Sequence, residues 1–172
     1  GSEHAFEELY NRYYKKLLWF SMRLVGSKEQ AEDIVQDTFI KIIDKPAAFN
    51  PALKFSTWIY TIAGNLAKTE LRKKKRRKVT NLSEMGTEDW EYQIPAVERD
   101  PGDIVQGQFA EQQIQKAIQS LPLHFRTVVI LRDIQELSYE EISKIVEVPL
   151  GTVKSRINRA RLQLQEMLKE LR

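Results

Sequence analysis

The chain has 172 residues, 42% of them hydrophobic and 30% charged, and its 27 lysines and arginines against 24 acids leave a net charge of +3. That length holds one ordinary domain or two small ones, and the absence of cysteine excludes disulfides and thiolate metal sites. No apolar run approaches the roughly 20 residues of a membrane span, and no signal-peptide pattern opens the chain, so a soluble, cytoplasmic, helical protein without membrane insertion is expected.

Helical spacing begins at once. Phe6, Leu9, Tyr10, Tyr13, Leu17, Phe20 and Leu24 recur at intervals of three and four, and Gly26 stops the pattern. Ser27 with Gln30 three positions on is a capping-box pattern for a second helix. Its stripe of Ala31, Ile34, Val35, Phe39, Ile42 and Ile43 runs until Pro46, with Asp33, Gln36 and Asp37 on the opposite side. Asn50-Pro51 marks a turn, and Ser56 is expected to cap a third helix running through Trp58, Ile59, Ile62, Ala63, Leu66 and Leu71. That helix enters a basic run, Lys68 to Lys78, with eight basic residues and one acid.

Periodicity then fades. Residues 80–107 carry Pro95, Pro101, Gly86, Gly102 and seven acids against Arg99 alone, which predicts an acidic, flexible linker. Patterning resumes at Phe109 and Ile114, and Pro122 suits the first turn of a helix through Phe125, Val128, Leu131 and Ile134. Ser138 and Glu141 form a second capping box, Pro149 lies in a tight turn, and Thr152 is expected to cap the last helix. The predicted fold is all-α, with two small helical domains at 3–79 and 108–172 joined by the linker.

The most specific signal is Leu137 to Arg161, a short capped helix, a tight turn and a second helix with apolar and basic sides. Val153, Ile157 and Ala160 would dock inward, which turns Lys154, Ser155, Asn158 and Arg159 outward. Those first turns of a recognition helix enter the major groove, while Arg156 and Arg161 lie to the side, where they would grip phosphates. The aromatic stretch Phe49, Phe55, Trp58 and Tyr60 beside the basic run resembles a stacking platform for unpaired bases, although packing of the bundle competes for the same rings. Asp33, Gln36 and Asp37 read either as a solvated face or as a docking surface for a basic partner.

Two segments carry a resemblance to a known family. Residues 31–39 (AEDIVQDTF) and 55–65 (FSTWIYTIAGN) resemble region 2 of the sigma-70 family of bacterial transcription initiation factors. Residues 137–142 (LSYEEI) and 149–157 (PLGTVKSRI) are similar to region 4, and the extracytoplasmic-function (ECF) group is the best match. The resemblance implies that Asp33, Gln36 and Asp37 dock on the β′ coiled coil of RNA polymerase core. It also implies that Phe49, Ile62 and Asn65 line the pocket for a flipped −10 base. Trp58, Tyr60, Lys68, Arg72 and Lys73 would hold the neighbouring strand and backbone. Thr152, Lys154, Ser155, Arg156, Asn158, Arg159 and Arg161 would contact the −35 element, and region 4 would also touch the β flap. An anti-sigma protein is an implied partner, and a role in stress response an implied setting. No cofactor, metal or catalytic activity is expected. A stand-alone regulator with an N-terminal sensor is the main alternative, and an enzyme acting on nucleic acid has no nucleophile, metal cluster or phosphate loop to support it.

Overall fold

The computed structural model describes residues 2–80 and 101–169. Its first module consists of α1 (Ser2–Val25), α2 (Lys28–Asp44) and α3 (Phe55–Thr80), with a short 3-10 turn at Pro46–Ala48. The second consists of α4 (Pro101–Ser120), α5 (Leu123–Val129), a π-turn at Ile130–Ile134, α6 (Tyr139–Val146) and α7 (Leu150–Lys169). All the described elements are helical, as the composition predicts.

Helix boundaries follow local chemistry. Gly26 adopts φ +77, and its N–H bonds the Met22 carbonyl at 2.7 Å, so α1 ends in the left-handed region that glycine enters without strain. The Ser27 hydroxyl accepts from the Gln30 N–H and opens α2. Asn50 organises the following turn, its side-chain oxygen accepting from Ala52 N–H and its carbonyl from Leu53 N–H. The expected Ser56 cap does not occur. Instead α3 starts at Phe55, and the Lys54 carbonyl accepts from the N–H groups of Thr57 and Trp58.

Three further boundaries differ from the sequence expectation. Helix α4 already begins at Pro101, so the last residues assigned to the linker are helical, while residues 81–100 lie outside the described part. The helix predicted through Ile134 breaks into α5 and a π-turn, after which Glu136 takes φ +57. Helix α7 starts at Leu150, with Val153 N–H bonding the Pro149 carbonyl, so Thr152 sits inside the first turn rather than capping it. The Ser138–Glu141 capping box is complete in both directions.

The cores follow most of the predicted stripes, but Tyr10, Ile43, Phe109, Ile114 and Ile134 are exposed, and the end of α1 departs from its stripe in the other direction. Residues Phe20, Ser21, Met22, Leu24 and Val25 are all buried, which a one-sided amphipathic helix would not allow. They are covered on one side by α2 and α3 and on the other by α4 and α5. Leu17, Phe20, Ile59 and Ala63 of the first module thus join Ile118, Leu121, Leu131, Ile142 and Ile157 of the second in one contiguous apolar cluster. Each fully buried Leu, Ile or Phe contributes about 1.5–3 kcal/mol, so a cluster shared between modules is a substantial tie.

Candidate nucleic-acid interface

Helix α7 presents two sharply different sides. Val153, Ile157 and Ala160 are buried against the preceding helices, while Lys154, Ser155, Asn158 and Arg159 are exposed. This is the placement a groove-reading helix requires. Thr152 and Arg156 are half-buried at the edge of that face. Beneath it lies Tyr139 of α6, with the Arg132 guanidinium 4.5 Å and the Lys154 ammonium 5.8 Å from its ring centre. Arg132 also donates to the Leu137 carbonyl at 2.9 Å, which fixes the turn entering α6.

Arg161, expected at the edge of this face, is exposed and ion-paired. Its Nε donates to the Asp133 carboxylate at 2.9 Å and a second guanidinium nitrogen bonds the other oxygen, a two-pronged ion pair that raises its pKa. The pair ties α7 to the π-turn. The sequence signal for this pair was absent, because Asp133 lies 28 positions away.

On the first module, Asp33, Gln36 and Asp37 share one exposed stripe of α2, with Ala31, Ile34, Val35 and Thr38 turned inward. Asp33 and Asp37 border a groove whose opposite wall is Leu66, Thr69, Glu70 and Lys73 of α3. Phe49 is half-buried, with ring centres 5.7 Å from Phe55 and 5.2 Å from Trp58, itself half-buried. The three rings therefore support each other, and Phe49 keeps an accessible side. Ile62 is half-buried, whereas Asn65, Lys68, Arg72 and Lys73 are exposed along α3. Lys73 reaches back to Glu70 at 3.0 Å.

Tyr60 requires a correction. It is 2% exposed, stands edge-on to Phe20, and its hydroxyl donates to Gln135 of the second module at 2.6 Å. Burial first, and the neighbouring Tyr13 second, push its pKa above the ordinary tyrosine value. Tyr60 is thus a packing and tethering residue, and no base can stack on it in this arrangement. Reading the ring as a platform failed because aromatic content alone does not say which side of a helix another module will cover.

Electrostatics at the module junction repeats this lesson. Partial burial pushes the Glu141 carboxyl up, but hydrogen bonds from Ser138 and Lys54 and the charge of Lys54 outweigh it, leaving the pKa below the ordinary carboxylate value. Burial pulls the Arg126 guanidinium below its usual value, yet the group stays charged at any ordinary pH, so the shift records a desolvation cost. Among the described residues, no group of three His, Cys, Asp or Glu side chains could hold a metal, and no helix is long and apolar enough to cross a membrane.

Comparison with known proteins agrees with this two-module layout. The family model Sigma-70 region 2 matches residues 9–77, and Sigma-70, region 4 matches residues 111–164. The ECF RNA polymerase sigma factor SigW of Bacillus subtilis is 38% identical over 173 residues, covering 99% of this chain and 92% of that protein. The RNA polymerase sigma-H factor of Pseudomonas aeruginosa is 34% identical over 176 residues, 99% of this chain and 90% of that protein. Among solved structures, the sigma factor RpoE of Bartonella quintana, in complex with the anti-sigma factor NepR, superposes with a TM-score of 0.76 at 28% identity, covering 96% of this chain and 97% of that one. CnrH, in complex with the cytosolic domain of CnrY, shares the fold with a TM-score of 0.72 at 20% identity, over 99% of this chain and 91% of that one.

Proposed function

The chain belongs to the sigma-70 family, in its extracytoplasmic-function group, and from that premise we propose how its surfaces divide the work of directing RNA polymerase to promoters. The acidic stripe Asp33, Gln36 and Asp37 docks on the β′ coiled coil of core polymerase. Phe49, Trp58, Ile62 and Asn65 receive the unstacked −10 strand, and Lys68, Arg72 and Lys73 follow its backbone. Unstacking a base costs a few kcal/mol, which aromatic capture and a basic track together offset. Lys154, Ser155, Asn158 and Arg159 read the −35 element, with Thr152 and Arg156 at the edge of that contact and the β flap as a further partner. The protein supplies specificity and leaves bond formation to the polymerase, working in the cytoplasm. An anti-sigma protein is the expected inhibitor, since the similar Bartonella quintana structure is a complex with one.

The observation that carries this reading is the pairing on one chain of an exposed acidic stripe on α2 with an exposed polar and basic face on α7. A stand-alone regulator would use the second alone. Run-off transcription with core polymerase on a promoter library is the test. Initiation at a defined subset of promoters is expected, and no initiation at any promoter would sink the assignment.

A further inference from the structure

Helix α1 carries a charge pattern that neither proposed DNA face uses. Its acids, Glu3, Glu7 and Glu8, all lie in the first eight residues, whereas residues 9–25 hold Arg12, Lys15, Lys16 and Arg23 and no acid. Arg23, with a side chain 12% exposed, is taken by its ion pair with Glu111. The other three cations are exposed. Arg12 pairs with Glu8 one turn away, and an exposed pair of this kind is weak enough to yield to a better anion. Lys16 turns over the ring of Tyr13, its ammonium 5.9 Å from the ring centre.

Tyr13 is where this basic segment meets the aromatic surface of the first module. Its ring centre lies 5.4 Å from that of Phe55, which in turn lies 5.7 Å from both Phe49 and Trp58. All four rings are half-buried. A continuous row of rings therefore runs from Phe49 to α1 and ends beside Lys16. Aromatic faces flanked by cations are the recurring means of holding unpaired strands, because every base has a face to stack and every nucleotide a phosphate. A rise of 1.5 Å per residue places Arg12 and Lys16 about 6 Å apart along α1, roughly the span of two stacked nucleotides.

We propose that Tyr13, Lys16 and Arg12 form a second contact for single-stranded DNA, continuing the path of the captured −10 strand onto α1. Tyr13 stacks a base further along the strand, and Lys16 and Arg12 hold its phosphates. A duplex hides its base faces and would leave the row of rings unused. An acidic protein surface would pair with the cations but has equally little use for the rings. The inference rests on the reading of Phe49 and Trp58 given above.

The test uses the full chain assembled with core polymerase, with core alone as the blank. Two fluorescent mixed-sequence single strands serve as probes, of roughly 5 and roughly 15 nucleotides, near the two ends of the usual range of single-strand sites. Tyr13→Leu keeps an apolar side chain without a stacking face, and should weaken binding of the longer strand about fivefold or more while leaving the shorter unchanged. Tyr13→Phe should bind as the parent does. Lys16→Gln, at an exposed position, should lower the slope of log K against log salt by about 0.7, the amount for one phosphate of a single strand. A packing role would not move that slope. An unchanged slope, or equal losses on both lengths, would overturn the contact. Loss of core polymerase affinity with unchanged strand binding would assign the segment to a protein partner and overturn it as well. If Phe49→Ala weakens both lengths while the α1 variants weaken neither, the extension fails and the Phe49 reading stands. If Phe49→Ala weakens neither length, that reading fails and takes the α1 contact with it.

Discussion

The two surfaces proposed to contact DNA are treated in opposite ways by the fold. Helix α7 offers Lys154, Ser155, Asn158 and Arg159 to solvent, on a helix anchored by Val153, Ile157 and Ala160 and braced by the Arg161–Asp133 ion pair. Helix α3 keeps Asn65 and Lys68 exposed but shares their surroundings with Leu123, Ile145 and Val146, and it buries Tyr60 outright. A reading helix in the major groove needs a rigid, preformed face, because the duplex already has the shape it recognises. A strand-capturing face acts on bases that must first be unstacked, so it has no preformed duplex shape to match.

The hardest challenge to this contrast is removal of the shared core. Phe20→Ala deletes a fully buried ring packed on Tyr60 and should cost about 3–5 kcal/mol in urea unfolding. Since the apolar cluster is continuous, the transition should shift as one unit. Separate transitions for the two modules would break the picture of a common core. A gentler pair of changes separates the faces themselves. Lys154→Ala should cost about 1–3 kcal/mol of discrimination at the −35 element, seen in binding to matched and mismatched duplexes, with polymerase affinity retained. Asp37→Ala should weaken core polymerase binding about tenfold in a titration while leaving duplex contacts intact, and a crossed result would reverse the division of labour.

Strong acid should weaken the junction through Glu141. Glu141 has a lower pKa folded than unfolded, so its ionised form stabilises the fold above the ordinary glutamate range of about 4.3. That contribution falls away as the pH drops from there through the lowered value. Glu141→Gln should therefore flatten the loss of thermal stability across that window, and an unchanged slope would remove Glu141 from the account. The smallest effect concerns the turn between α6 and α7, where Glu147 is held at φ +56. Glu147→Gly should stabilise the second module by about 0.5–1 kcal/mol, because glycine enters the left-handed region without a Cβ clash. A loss of stability on calorimetry would show that the glutamate side chain makes a compensating contact.

Much of the site was legible because it depends on spacing within single helices. The outward set Lys154, Ser155, Asn158 and Arg159 follows from the inward set Val153, Ile157 and Ala160, and the same logic exposes Asp33, Gln36 and Asp37. Where a residue's surroundings come from another part of the chain, spacing gave no warning. Tyr60 read as a stacking ring and is a buried tether; Arg161 read as a phosphate contact and is paired to Asp133. Gln115, Gln119 and Arg126 carried no motif at all, since an amide or guanidinium that caps a distant helix has no periodic signature.

By itself the sequence determined the helical class, most of the inner stripes, the Ser138–Glu141 cap, the acidic divide between two basic segments and the family resemblance. These rest on local periodicity and short-range hydrogen bonds, which act within a few residues. Only the tertiary structure decided that α1 would be buried on every side at its end, that the second module would supply its missing donors, and that Tyr60 of α3 would be buried. Those outcomes depend on side chains more than 70 positions apart meeting in space, as Tyr60 and Gln135 do, and no local rule encodes which distant polar group will satisfy an orphan carbonyl.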